Sequence, residues 1–448
     1  MNPVSARLLG QQLVCPQFST PHDVVSWMGA MQAQDYKAMR WAVEMRTKRP
    51  SVKAFEKAFN EGSIIRTHLL RSTWQLVASD DYRWMIDLCS GKARSSIRGW
   101  MKQQGLSISE AEERRFQDFL CRTLKGRGSL NREAMEAIVK ESTFAAELPR
   151  LKYQMVLAEV SGIVCSGDLT VRDRTYILTE DKIPPQVSLT REEALAELAN
   201  RYFRSHSPAT LEDFVWWSGL NTGECKMGVE AIRDRLIEEH WKGLNFFLHQ
   251  DTRTRGFRSG CIHLLPAYDE YLIGYKSRHV ALHPDWKHRA HDNRGIFWPV
   301  ILLDGEVVGN WSAVGGEVRT EMFRQDIRLD PAALGSQEAL GNQEALGNQE
   351  ELGNQEAMGN QEALEKEIAR FRKSFCAPAK NLNPSPGTLE RTFGYFRSQG
   401  SIPKAPLRAR PAPLRALQAP WSTPRHPGAH GIREEFVNLD FERANAEI

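Results

Sequence analysis

Hydrophobic and polar positions along the first 330 residues switch between two periods. Apolar residues three and four apart predict helices at 36–46, 52–60, 131–140, 148–161, 210–217 and 222–238. Between them lie β-rich runs at 64–68 and 73–78, separated by Leu70-Arg71-Ser72, and at 163–166 and 169–178, where Gly167-Asp168 signals a hairpin. Thr20-Pro21-His22-Asp23 is a capped helix start with proline in the first turn, and Ser79-Asp80-Asp81 reads as the cap of the helix after the second run. The theme of helices followed by two short strands occurs three times. In the third copy Ser218-Gly219-Leu220-Asn221 supplies the turn between two helices. Helix, turn, helix and a two-stranded ribbon make the winged-helix plan. The expected fold class is therefore α+β: three tandem winged-helix units and a small C-terminal β-unit. The strands of that unit are expected at 261–265, 299–303 and 307–311, the last two joined at Asp304-Gly305-Glu306.

The expected boundaries are 1–100, 101–185 and 186–255 for the three units and 256–330 for the β-unit. Residues 331–364 read as a linker, because 335–364 are five copies of a hexapeptide, from Gly335-Ser336-Gln337-Glu338-Ala339-Leu340 onward. A period of six matches neither helical repeat, and a glycine in every copy penalises helix. Residues 365–376 follow with Ile368, Phe371 and Phe375 on one face, a short amphipathic helix expected to dock on the body. From 377 to 448 periodicity disappears and proline and arginine dominate, the composition of a disordered tail.

Charge alters the picture only locally. The 448 residues carry 59 Lys+Arg against 56 Asp+Glu, a balance of +3. Yet 91–132 holds ten bases against four acids, and 253–294 holds eight against four together with five histidines. Such stretches serve either as solvated faces or as grips on a polyanion. No apolar run approaches the roughly 20 residues of a membrane helix, and the N-terminus has no charged start followed by an apolar middle. The seven cysteines are scattered without a Cys-x-x-Cys pair, which excludes a disulfide scaffold and a cysteine zinc finger. A reduced, cytoplasmic setting is expected, at the nucleoid if the source is bacterial.

Common catalytic motifs are missing: there is no phosphate loop, no Gly-x-Ser-x-Gly elbow and no His-Glu-x-x-His. His279, His283, His288 and His291, with Asp285 and Asp292, are the densest ligand-like group. Pro284 disfavours the helix that would align the first two, so basic loop histidines facing phosphates are the preferred reading and no metal is expected. The sharper feature is Gln32-Ala33-Gln34-Asp35, between two helices. In an extended junction the two glutamines point the same way. Asp35 reads first as the N-cap of the next helix.

Several stretches together carry a family likeness. They are Gln32-Ala33-Gln34, the run Arg66-Thr67-His68-Leu69-Leu70-Arg71-Ser72-Thr73-Trp74-Gln75-Leu76-Val77, Ser207-Pro208-Ala209-Thr210-Leu211-Glu212-Asp213-Phe214, Leu265-Pro266-Ala267-Tyr268-Asp269-Glu270-Tyr271-Leu272 and Leu303-Asp304-Gly305-Glu306-Val307-Val308-Gly309-Asn310-Trp311. In this order they resemble the AlkZ and YcaQ group of bacterial DNA glycosylases, built from tandem winged helices. The group's signature is Gln, an apolar residue, then Gln, with Asp in the last place in YcaQ relatives. Gln34 therefore resembles the AlkZ branch, which implies removal of N7-alkylated guanines and unhooking of interstrand crosslinks. The hexapeptides and the tail depart from the pattern.

The resemblance implies catalytic roles for Gln32 and Gln34. A glutamine has no usable pKa, but its carbonyl accepts from a water while its amide donates, so a pair can hold a water for attack on the sugar. A nearby carboxylate would stabilise the oxocarbenium ion, Asp35 being nearest in sequence. With no strong acid or base, only labile cationic bases are expected to leave, and no cofactor is required. Double-stranded DNA is the expected partner, gripped through phosphates by Arg66 and Arg71 on the first wing and by Lys276, Arg278, Lys287 and Arg294 in 259–300, where the family places a DNA-inserting hairpin. The competing reading is a non-catalytic winged-helix regulator. Regulators usually dimerise; three units in tandem and the Gln-x-Gln pair favour a monomeric enzyme. Trp74, Trp216 and Trp217 read as core rather than stacking residues.

Overall fold

The three helix-and-ribbon segments appear in the expected order, in a computed structural model that describes residues 2–170, 174–241, 243–314, 317–323 and 360–372. In the first, Thr20 accepts from the Asp23 N–H and Pro21 opens helix Pro21–Met28, as the start signal requires. Helix Val52–Asn60 begins at the Ser51 cap. A three-stranded antiparallel sheet follows, ordered Met31–Gln32, Trp74–Ala78, Ile64–His68. The predicted helix 36–46 shrinks to Met39–Glu44. Asp35 causes this: its Oδ1 accepts from the Lys37 and Ala38 N–H groups, so the chain turns there before the helix begins. Helix Ser79–Gln103 starts without the expected side-chain cap. Asp81 is instead used inside the protein, accepting from Trp84 Nε1 and pairing with Arg201.

In the second segment Glu110–Leu124 opens with a Ser109–Glu112 capping box, and Arg132–Lys140 is capped by Asn131. A 3-10 stretch, Ala145–Arg150, leads into Leu151–Val160. Strands Val164–Ser166 and Thr175–Leu178 pair antiparallel, so the turn expected at Gly167-Asp168 is a longer connection. The Leu169 N–H donates to Asn60 Oδ1, which draws that connection onto the first segment and out of the ladder.

The third segment packs Arg191–His206, Leu211–Ser218 and Thr222–Ala231, each with its own capping box. Gly219 turns between the last two at φ +69°. The predicted helix 222–238 stops at Ala231 because Leu236–Trp241 is drawn into a ladder with Leu244–His249, the third hairpin of the repeated theme, whose strands the pattern does not locate.

The C-terminal β-unit is a four-stranded antiparallel sheet, ordered Glu317–Met322, Glu306–Val314, Val300–Leu303, Ile262–Leu265. The outermost strand was not predicted. Between Ile262–Leu265 and Val300–Leu303 come the short helices Glu270–Ile273 and Lys287–Ala290. No paired strands lie wholly within 266–299; the nearest feature to the expected hairpin is a turn closed by a single His291–Phe297 bridge.

Residues 360–372 are helical and set Leu364, Ile368 and Phe371 into the core of the β-unit. The Phe371 ring meets Trp41 at 5.3 Å and Trp311 at 4.9 Å. The docked helix thus reaches back into the last hexapeptide, which had been read wholly as linker. Phe375, the earlier hexapeptides and the tail lie outside the described residues.

Candidate active site

Gln32 occupies a two-residue strand, opposite Gln75, and is only 5 % exposed. Its surroundings come from three distant parts of the chain. The first is the turn after Ile64–His68, where Arg71 and Ser72 take φ of +56° and +58° and bend the chain back on itself. That turn presents Arg71, Thr73 and Gln75 to Gln32 Oε1: Thr73 Oγ1 donates at 3.0 Å, Arg71 Nη2 at 3.4 Å, and Gln75 Nε2 donates as well. The second is the helix–turn of the third segment. Arg71 Nη1 donates to the Trp217 carbonyl there, and Gly219 lies so close that a Cβ would sit 3.0 Å from the Arg71 nitrogen. The third is the Glu270–Ile273 helix, anchored by a buried Arg46–Asp269 ion pair of 2.7 Å.

Glu270 closes the arrangement. It is 1 % exposed, accepts from the Gln32 N–H at 2.6 Å and from Trp217 Nε1 at 3.1 Å, and lies 3.6 Å from His206 Nε2. Burial alone would push its carboxyl up. The adjacent His206 ring, the Arg71 guanidinium and the Gln32 N–H outweigh that and hold it below the usual carboxylate range. His206 is pushed down by burial, which outweighs the pull of Glu270. A buried carboxylate beside a buried imidazole therefore lies behind Gln32.

Gln34 is placed differently. The Ala33 N–H donates to the Trp74 carbonyl at 2.8 Å, and the Ala33 carbonyl accepts from Arg66 Nε at 3.0 Å, which straps the backbone between the two glutamines. The Gln34 side chain is half-buried, and its Oε1 is buried with no hydrogen-bond partner among the described residues. Buried acceptors are usually paired, so an orphaned one at a candidate site stands out. The carboxylate touching the pair is Glu270. Asp35, nearest in sequence, is occupied in capping the turn.

The expected phosphate contacts divide in two. Lys276, Lys287 and Arg294 are exposed, Arg294 holding Asp292 at 3.0 Å. Arg66 is only 1 % exposed: it lies 4.5 Å from the Trp74 ring centroid and burial pushes its pKa down to about 9. It is a structural strap and not a surface charge. Arg71 is half-buried and committed to Gln32 and Trp217. Arg278 is half-buried, with Nε on the Leu272 carbonyl at 3.0 Å and its guanidinium against Trp216 and Phe297. Their positions in the sequence place these three on the expected DNA surface, Arg66 and Arg71 on the first wing and Arg278 in the basic 259–300 region. The tertiary contacts that draw them inward carry no local signal.

Trp74 and Trp217 are buried, as expected, while Trp216 is half-buried. Among the described residues no three His, Cys, Asp or Glu side chains are arranged to hold a metal. His279 instead stacks near Trp241, and His291 against Phe297. Glu270, Thr73 and Gln75 were missed as site residues. All three lie in the stretches that carry the family likeness, which was the one signal for them.

Comparison with known proteins places this architecture among the DNA glycosylases. The family described as DNA glycosylase AlkZ-like matches residues 25–373, and the chain belongs to it. A curated relative, the interstrand DNA cross-link repair glycosylase of Streptomyces sahachiroi, is 24 % identical over 332 residues, covering 71 % of this chain and 88 % of the relative. The solved structure of Streptomyces sahachiroi DNA glycosylase AlkZ superposes with a TM-score of 0.62 at 20 % identity, over 81 % of this chain and 96 % of that one. The mixed helix-and-sheet fold is thus shared. No helix among the described residues is long and apolar enough to cross a membrane.

Proposed function

We propose that this DNA glycosylase hydrolyses the N-glycosidic bond of cationic alkylated purines in double-stranded DNA, with N7-alkylguanine as the simplest substrate. The relative's name extends the reading to interstrand crosslinks built on the same linkage. The observation that carries it is the Gln34 carbonyl: an acceptor unpaired among the described residues, two residues from a Gln32 held by a buried carboxylate and by Arg71. An N7-alkylated purine already carries positive charge, so it departs without an acid. Water then needs only to be held near C1′, which an amide carbonyl does by accepting one of its protons. The buried Glu270 charge adds electrostatic support to the developing oxocarbenium ion.

In this reading the enzyme is monofunctional and works as a monomer, in the cytoplasm where the DNA lies. Units 1–100, 101–185 and 186–255 are winged helices that embrace the duplex, and 256–330 supports them. Lys276, Lys287 and Arg294 track phosphates. The test is incubation of the enzyme with a duplex holding one N7-methylguanine and detection of freed base. Free base with an abasic strand left intact is expected; an unchanged duplex would overturn the reading.

A further inference from the structure

We propose that Arg71 and Glu270 are positioning residues that give the two glutamines unequal tasks, Gln32 acting as a hydrogen-bond donor and Gln34 as the acceptor. This rests on the reading that the pair handles the attacking water.

The argument starts from Arg71. A guanidinium has donors only, so the Gln32 atom that faces it must be the carbonyl oxygen. Thr73 and Gln75 address the same oxygen. Gln75 Nε2 and Arg71 Nη2 fill its two lone pairs, with the one Thr73 proton shared between it and the Leu70 carbonyl, and no lone pair is left for a water. The Gln32 Nε2 group points away from those donors, without a hydrogen-bond partner among the described residues and outside the fully buried, unpaired atoms. What Gln32 offers a substrate is therefore an N–H. Gln34 has no such constraint: among the described residues nothing holds its amide in one orientation, and its carbonyl has no partner there, so it is free to face the water.

Glu270 fixes the other end of Gln32. Its Oε1 takes the backbone N–H at 2.6 Å and its second oxygen takes Trp217 Nε1, while Trp217 in turn presents its carbonyl to Arg71. The backbone of Gln32 and the guanidinium that orients its side chain are thereby tied to one buried carboxylate. A charge-assisted bond of this kind holds geometry more firmly than a neutral one.

The resulting step balances. Water accepts from Gln32 Nε2–H with one lone pair and donates one proton to Gln34 Oε1. Its other lone pair bonds to C1′ as the C1′–N9 bond breaks, and those electrons neutralise the cationic purine. The proton facing Gln34 passes to solvent.

The test is single-turnover excision of N7-methylguanine at saturating enzyme, with DNA affinity and its salt dependence measured in parallel. Arg71→Met is expected to slow excision by about 10–100-fold, the cost of a misplaced group, while affinity and salt slope stay at wild-type values. Arg71→Lys, which keeps one donor, should recover part of the rate. Glu270→Gln should slow excision in the same way. If Arg71→Met does not fold, Thr73→Val and Thr73→Ser decide: the valine is expected to be slow and the serine near wild type, and equal rates would overturn the proposal. It is also overturned if Arg71→Met excises at the wild-type rate at saturation while its affinity and salt slope fall, because Arg71 would then be a phosphate contact. Gln34→Ala separates the two levels. If it excises normally, the water-handling reading itself fails; if it is inactive while Arg71→Met and Glu270→Gln are both fast, only the positioning proposal fails.

Discussion

The backbone N–H of Gln32 and the carboxylate of Glu270 meet at 2.6 Å although 238 positions separate them. This bond crosses from the first sheet to the C-terminal β-unit, so the strand bearing Gln32 depends on residues the first segment does not contain. The β-unit is in turn secured by Arg46, which reaches from the first segment to Asp269, the residue before Glu270. Each half holds a buried ion or polar group that the other half satisfies. Removing either partner would strand a buried charge, which costs several kcal/mol.

Substitution of either glutamine should separate chemistry from binding. Gln34→Ala is expected to remove most base release, and Gln32→Ala likewise, with DNA affinity nearly intact because the proposed phosphate contacts lie elsewhere. Gln32→Ala also leaves Thr73 and Gln75 without their shared acceptor, so its melting temperature should fall further than that of Gln34→Ala. Calorimetric melting and single-turnover kinetics on the two variants check both statements.

The helix 360–372 gives a truncation test with two outcomes. Ending the chain near residue 378 should leave melting temperature and excision unchanged. Ending it near residue 358 removes Leu364, Ile368 and Phe371 from the core. Burial of each such side chain contributes about 1.5–3 kcal/mol, so the shorter protein should melt many degrees lower or fail to fold. Equal melting of the two truncations would show that the helix does not hold the body together.

Most of the fold was legible where local signals and tertiary packing agree. The cap at Thr20, the helix Val52–Asn60 and the strand at 64–68 follow from pattern alone, and the strand expected at 299–303 forms at 300–303. The signals failed where a distant partner decides. Leu236–Glu238 continued a helical pattern, yet pairing with Phe247–His249 made it a strand. Gly167-Asp168 looked like a two-residue turn, yet Asn60 draws the chain away from it. The site divides in the same way. Gln32 and Gln34 stood out as a local motif, whereas Glu270 and the inward turn of Arg66, Arg71 and Arg278 depend on contacts that no window of sequence contains.

Acid should destabilise the protein partly through His263. This ring is buried, donates from Nε2 to the Leu13 carbonyl at 2.9 Å, and burial pushes its pKa down to about 4. The unfolded chain, with a histidine near its ordinary value of about 6.5, binds more protons than the folded one between those limits. Stability is therefore fully present above about pH 6.5 and is lost as pH falls towards 4, by an amount on the order of 3 kcal/mol for this group. Glu270 acts in the same sense at lower pH, because its folded pKa is depressed and its protonation removes the charge opposite Arg71. Urea melts between pH 7 and 4 should show this slope, and His263→Asn should flatten the part between 6.5 and 4. A slope unchanged in that variant would remove His263 from the account.

Salt dependence should distinguish the exposed cations from the buried ones. Affinity for duplex DNA is expected to fall with salt at a log–log slope of about −0.9 per neutralised phosphate. Lys287→Ala and Lys276→Ala should each reduce that slope by about one unit if the side chain makes such a contact. Arg66→Ala should leave the slope alone and cost more than about 1 kcal/mol of stability, because the Ala33 carbonyl loses its donor. Arg278→Ala should behave like Arg66→Ala, since its Nε bond to the Leu272 carbonyl is spent inside the protein. The two lysine changes do not touch the glutamines, so in those variants excision should slow only when enzyme is limiting, whereas Arg66→Ala loosens the strap between Gln32 and Gln34 and should slow excision at saturating enzyme as well. At saturating enzyme the substrate's own charge decides: an N7-alkylguanine should leave, and uracil should stay, because neither glutamine can protonate a neutral leaving base. Efficient uracil release would overturn the water-positioning mechanism, and a slope unchanged in both lysine variants would overturn the proposed phosphate surface.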